Sequence, residues 1–229
     1  MCAGTTQEIW RPEKVRSAMA RPREFDETAV LDAAMDCFWR HGYDATSMRD
    51  LIETTGLTSA SLYNAFGDKR ALYRRVLDHY VDGSIAARIR RCRRLAPRAA
   101  IAAFFAEILS RSLADPAHKG CLLVNAATDV VAEDADLRAA VAEVLRRIET
   151  FFLDSVRAGQ ADGTISRAQP ADSLARHLLG VLMGVRVLAR ARPERRLLED
   201  VVAVALAALA PNGHAPDGRA PAPQSSSAA

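Results

Sequence analysis

The stretch TSMRDLIETTGLTSASLYNAF, residues 46–66, decides the reading of this chain. It contains two short runs, each opening on a hydroxyl residue, divided by a glycine. Thr46 can cap a helix from Ser47 to about Thr54, Gly56 breaks it, and Thr58 caps a second helix from Ser59 to Phe66. Such hydroxyls accept hydrogen bonds from first-turn amides, and glycine adopts the left-handed conformation that ends a helix. Two capped helices meeting at a glycine turn make a helix-turn-helix. Leu51, Ile52, Leu57, Leu62 and Phe66 supply its packing face, with Leu62 and Phe66 four apart on one side. The other side of the second helix carries Ser59, Ala60, Ser61, Tyr63 and Asn64. A merely solvated face more often carries Glu and Lys. Small and hydrogen-bonding residues let a helix lie deep in a major groove and meet base edges or phosphates.

Working outward, Asp26 can cap a helix that ends at Gly42, with an apolar stripe of Val30, Ala34 and Phe38. Asp68 opens a longer helix to about Arg94, stopped before Pro97. Further helices are expected near 98–114, 121–132, 135–160, 171–191 and 194–210. The fold class is therefore all-α: an N-terminal three-helix DNA-binding domain followed by a helical bundle. Residues 1–24 read as a flexible arm, 25–70 as the helix-turn-helix domain and 71–210 as the bundle. Residues 211–229, rich in Pro, Gly, Ser and Ala, read as a disordered tail.

Composition agrees with a helical, globular chain: 229 residues, 49% apolar and 26% charged. The net charge of +3 says little about nucleic acid, and residues 1–70 carry nine Lys/Arg against eleven Asp/Glu. Any DNA contact must therefore rest on placed residues rather than on bulk charge. No secretory signal pattern is read, and the apolar stretches near Leu178–Val185 and Val201–Ala210 are shorter than the ~20 residues needed to span a bilayer. A cytoplasmic protein with reduced thiols and no membrane partner is expected. The four cysteines, Cys2, Cys37, Cys92 and Cys121, form no CxxC pair, and the histidines lack metal spacing. No metal, cofactor or catalytic residue is assigned.

The residues Ala33-Ala34, Phe38, Gly42-Tyr43, Thr46 to Leu51, Gly56 and Ser61 to Lys69, followed by Leu72, form a recognisable pattern. The stretch from Phe25 to about Leu77 closely resembles the DNA-binding domain of the TetR family of bacterial regulators. The resemblance implies a DNA site made of Thr46, Arg49, Thr58, Ser59, Ala60, Ser61, Tyr63, Asn64 and Lys69. In it Tyr63 and Lys69 grip phosphates, Thr46 and Arg49 serve the start of the second helix, and Arg21 and Arg23 could enter the minor groove.

It also implies an operator-binding homodimer released by a small-molecule effector. The dimer surface is expected on the last two helices, where Gly180 and Gly184 stand four apart and Val201 to Leu209 is apolar on nearly every side. Effector candidates are Phe105, Phe152, His177, Asn125 and Cys121, with Phe104, Leu122, Val124 and Phe151 beside them. Cys121 follows His118-Lys119-Gly120 at a helix start, a setting that favours thiolate and capture of a thiol-reactive effector. A GCLL segment of this kind also resembles one in family members that respond to electrophiles and oxidants. Cys92 lies among Arg88, Arg90, Arg91, Arg93 and Arg94, read as a solvated helix end, and Cys37 is read as packing. Two other classes remain open: a nucleoid-type structural DNA-binding protein, which would want a basic surface, and an enzyme, for which no catalytic motif is present.

Overall fold

The computed structural model describes residues 25–129 and 134–211. The arm, with Arg21 and Arg23, and the tail beyond Pro211 lie outside the described residues. The described residues form helices with no strand among them.

Three short helices come first: α1 (Glu27–His41), α2 (Met48–Thr55) and α3 (Ser59–Phe66). Asp26 caps α1 by accepting from the Thr28 and Ala29 amides. The cap of α2 is Ser47, one residue later than expected. Its hydroxyl accepts from the Asp50 amide while the Asp50 carboxylate takes the Ser47 amide at 2.8 Å, a reciprocal capping box. Thr46 is buried instead, and its hydroxyl donates to the Gly42 carbonyl at 2.6 Å. Gly56 ends α2 at φ 70°, in the left-handed region, and Thr58 caps α3. Leu51 and Leu62 have no exposure and Phe66 is buried, with Ile52 and Leu57 packed beside them. Truncating either leucine to alanine would cost about 2–5 kcal/mol.

Next come α4 (Lys69–Tyr80), a π-helical turn (Val81–Ala86) and α5 (Ala87–Cys92), in unbroken succession. The start of α4 belongs to the core of the first three helices: Phe38 meets Tyr73 edge to face at 4.9 Å, and Tyr43 lies 4.8 Å from Tyr73. Widened π turns often mark functional sites. Here Tyr80, Ser84 and Arg88, spaced four apart along it, are all buried.

The bundle is α6 (Pro97–Ala114), α7 (Leu122–Asp129), α8 (Ala135–Ala161), α9 (Ala171–Ala191) and α10 (Arg195–Ala207). Its centre is a block of four phenylalanines, Phe104, Phe105, Phe151 and Phe152, with ring centroids 5.2–6.2 Å apart. Gly159 permits the turn after α8, because a Cβ there would stand 2.5 Å from Ile165 Cγ1. Arg70 at the start of α4 binds both Asp134 and Asp136 at the start of α8. That cation holds the Asp134 carboxyl far below the ordinary carboxylate range.

The capping box gives a first expectation. Ser47→Ala should lower unfolding stability by about 1 kcal/mol, read as a lower midpoint in urea with unchanged slope. An unchanged midpoint would show that the Ser47 hydroxyl contributes nothing to α2.

Candidate nucleic-acid interface and effector chamber

The outer face of α3 is built from what its inner face leaves free. With Leu62 and Phe66 turned into the core, Ser59, Ala60, Tyr63 and Asn64 are exposed, Tyr63 at 48%. Ser61 is half-buried and accepts from the Thr58 hydroxyl at 2.9 Å. Thr58, itself exposed, is thus part of the cap as well as of the edge. Arg49 on α2 is exposed and paired only with Glu53, at 2.9 Å. Exposed i,i+4 pairs are worth a few tenths of a kcal/mol, so the guanidinium exchanges readily to a phosphate.

Two residues expected at DNA are engaged internally. Thr46 is 1% exposed, its hydroxyl committed to Gly42, so its side chain holds the turn before α2. Lys69 donates to the Tyr43 and Thr46 carbonyls, each at 3.0 Å, and lies 4.4 Å from the Tyr43 ring centroid. It clamps the α1–α2 turn, which sets the angle at which α2 and α3 leave α1.

The effector candidates are distributed differently from the expectation. Phe105 and Phe152 have no exposure and stack on one another at 5.7 Å. They are filled core rather than chamber wall. His177 is exposed on the outer side of α9, because the buried stripe of that helix runs Leu174, Leu178, Leu182, Val185, Arg186. Asn125 ties neighbouring segments together: its amide donates to the Lys119 carbonyl at 3.2 Å and its oxygen accepts from Arg190 at 2.9 Å. Cys121 is buried, and its Sγ lies 3.4 Å from the Tyr80 hydroxyl. Burial, and then the neighbouring Cys121, push the Tyr80 hydroxyl well above its ordinary value. The cations expected to serve Cys121 face elsewhere: Lys119 Nζ binds Asp36 at 3.1 Å, 5.1 Å from the Trp39 ring centroid, and His118 is exposed.

A chamber of about 260 Å³ does exist beneath the loop before α7. Trp39, Tyr80, Ser84, Ser112 and Arg186 are among its walls, with Arg111 and Lys119 at its polar side. A gap of only about 10 Å³ lies deeper, bordered by Arg88, Phe104, Cys121 and Arg186. Arg186 is common to both. Arg88 is 1% exposed, whereas Arg90, Arg91, Arg93 and Arg94 are exposed, so the basic run was mixed rather than wholly solvated. Arg88 escaped the sequence reading because its neighbours hide it. Arg186 carried a signal, four residues beyond Leu182 on a buried stripe. Cys92 is also buried; burial and Glu107 push its thiol up, outweighing Arg88 and Arg91. Cys37 is packed beside Phe38.

Among the described residues no helix is long and apolar enough to cross a membrane, and no cluster of three potential metal ligands occurs. The model of the bacterial regulatory proteins, tetR family, matches residues 30–76, and that of the tetracyclin repressor-like C-terminal domain matches residues 97–205. The HTH-type transcriptional repressor ComR of Escherichia coli is 32% identical over 197 residues, covering 83% of this chain and 90% of that protein. The HTH-type regulator YezE of Bacillus subtilis is 29% identical, over 83% of this chain and the whole of its own. A cysteine-substituted form of the TetR family transcriptional regulator CifR, solved with 26-base-pair operator DNA, is 34% identical. It superposes with a TM-score of 0.73, covering 82% of this chain and 99% of that one. The two halves of the chain, the reading helices and the bundle, thus match the two halves of one kind of regulator, and the chain belongs to the TetR family of bacterial transcriptional regulators.

Proposed function

We propose that this chain is a transcriptional repressor that binds a palindromic operator as a homodimer and is released from it by a small molecule. The observation that carries the reading is the exposed face of α3, where Ser59, Ala60, Tyr63 and Asn64 stand together on a helix fixed by buried Leu62 and Phe66. Arg49 and the open first turns of α2 and α3 extend that face towards phosphate. Lys69 and Thr46 act behind it, as positioning residues. The operator-bound form of CifR supports the same use of the fold.

One reading helix makes few base contacts, so a two-fold pair is needed. Its support lies on α9 and α10. His177, Gly180, Gly184, Val187 and Ala191 form an exposed stripe on α9, and both glycines face open space. Leu197, Val201, Val204 and Ala208 continue it on α10, Val204 being 72% exposed. An apolar strip of this kind suits a self-complementary contact. Residues 25–70 would then be the reading head and 71–210 the regulatory and dimer-forming part.

The release route runs through the loop before α7. The Trp39 indole donates to the Lys119 carbonyl at 3.0 Å, and Lys119 binds Asp36, so two residues of α1 grip the chamber roof. A ligand that displaces that roof shifts α1, and the reading heads of the dimer change their spacing. A second reading has its own support: Cys121 borders the gap that also holds Arg88 and Arg186. Its thiol there is the nucleophile that would add to an electrophile.

Tyr63→Ala and Asn64→Ala should each weaken operator binding about tenfold or more, measured by anisotropy on a DNA fragment selected by the wild-type protein, with unfolding midpoints unchanged. Unaltered affinity in both would dismiss the α3 face. Val204→Glu should convert the dimer to monomer in sedimentation, and a dimer of undiminished stability would place the contact elsewhere. For the thiol route, N-ethylmaleimide should release wild-type protein from DNA but not Cys121→Ser; equal release of the two would exclude Cys121 as the trigger.

A further inference from the structure

The inner end of the chamber has more cations than anions. Arg88 and Arg186 are 1% and 6% exposed, deeper than any other charged side chain described. Arg186 donates to the Ser112 hydroxyl at 3.1 Å. Arg88 Nε approaches Glu107 Oε1 at 3.2 Å, but outside hydrogen-bonding geometry, and its Nε and Nη2 are buried with no hydrogen-bond partner. Glu107 is shared further: Arg91 takes it at 2.7 Å and Arg111 Nε lies 3.5 Å from it. One carboxylate therefore faces Arg88, Arg91 and Arg111, while Arg186 has only a neutral hydroxyl. Other carboxylates near the chamber are engaged. Asp115 accepts from the Ala117 and Lys119 amides, and Asp36 binds Lys119. Burial and the charge of Arg186 both act against the charged form of Arg88.

Unpartnered guanidinium donors in a dry site are costly, and an arginine keeps its proton rather than shedding it. Of the two buried guanidiniums only Arg88 faces a carboxylate, and Glu107 is shared with the solvent-exposed Arg91 and Arg111, so one further anion would balance the buried pair. A guanidinium presents a planar fork that matches a carboxylate. The surroundings limit the remainder of the ligand. Phe104 lies 5.4 Å from the Arg88 guanidinium, Leu182 and Met183 close the gap, and Trp39 and Tyr80 wall the outer chamber. A singly charged group with an apolar body fits such walls, whereas a phosphate brings more charge to desolvate.

We propose that the effector of this regulator is a small organic monocarboxylate, its carboxylate held between Arg186 and Arg88 and its apolar body lying against Trp39 and Tyr80. The carboxylate supplies the acceptors that Arg88 Nε and Nη2 lack, and the body fills the 260 Å³ chamber. The present 10 Å³ gap is about the size of one water, so Arg186 swings to admit the head group. This rests on the reading that a small molecule governs operator release.

The test uses the full chain and three matched pairs of probes: benzoate and benzamide, phenylacetate and phenylacetamide, hexanoate and hexanamide. At least one acid should raise the thermal unfolding midpoint and bind about tenfold or more tighter than its amide. That preference should vanish in Arg88→Met and in Arg186→Gln. Arg88→Met should fold normally, since an apolar side chain commonly replaces a buried unpaired charge without loss of stability. Absence of a shift with all three acids, equal binding of acid and amide, or an acid preference surviving in both variants would each overturn the proposal. Operator anisotropy is read separately. An acid that binds yet leaves DNA binding intact upholds the carboxylate site and refutes effector release; a protein that never binds operator refutes the regulatory reading alone.

Discussion

Lys119 joins the two halves of this molecule by both ends of one residue. Its carbonyl accepts from the Trp39 indole at 3.0 Å and its ammonium donates to Asp36 at 3.1 Å, so the loop before α7 is bolted to α1. Half-buried bonds of this kind are worth about 1 kcal/mol each. Allosteric coupling needs about 1–3 kcal/mol. Two such bonds, with the Trp39–Tyr80 ring contact at 5.2 Å, fall within that range.

The reading head was legible because its order is local. A cap acts on amides two or three residues away, a glycine turn acts on its own dihedral angles, and Leu62 and Phe66 meet through helical periodicity. The cap of α2 is Ser47 rather than the expected Thr46. Both are hydroxyl residues, and only Asp50 three places beyond Ser47 distinguishes them. Once Ser47 caps the helix, Thr46 turns inward and bonds to Gly42. Lys69 was harder: nothing near it in sequence indicates that its ammonium reaches the Tyr43 and Thr46 carbonyls, 26 and 23 residues away.

The chamber was legible only in part, because its walls come from distant segments. Trp39 is on α1, Tyr80 and Arg88 flank the π turn, Ser112 closes α6 and Arg186 is on α9. Phe105 and Phe152, the aromatic candidates in the bundle, pack so well together that no space is left between them. One step of helical phase puts His177 outside the leucine stripe of α9. The informative anomaly was the opposite case, a charge on the buried stripe at Arg186. Arg88 offered no such contrast, since arginines surround it in sequence and only burial separates it from them.

The buried arginines also bear on why the chamber exists at all. Packing to full density around two desolvated cations would strip away their last acceptors, whereas an opening beside them leaves room for an anion. The phenylalanine block begins at Phe104, 5.4 Å from the Arg88 guanidinium, and packs without filling the chamber. The aromatic centre is filled, and the cationic end is under-satisfied and near the loop that Lys119 fastens to α1. On the proposed reading, a carboxylate that satisfies the arginines would act beside the loop that Lys119 ties to α1, and the energy it gains there would be available to break those polar bonds.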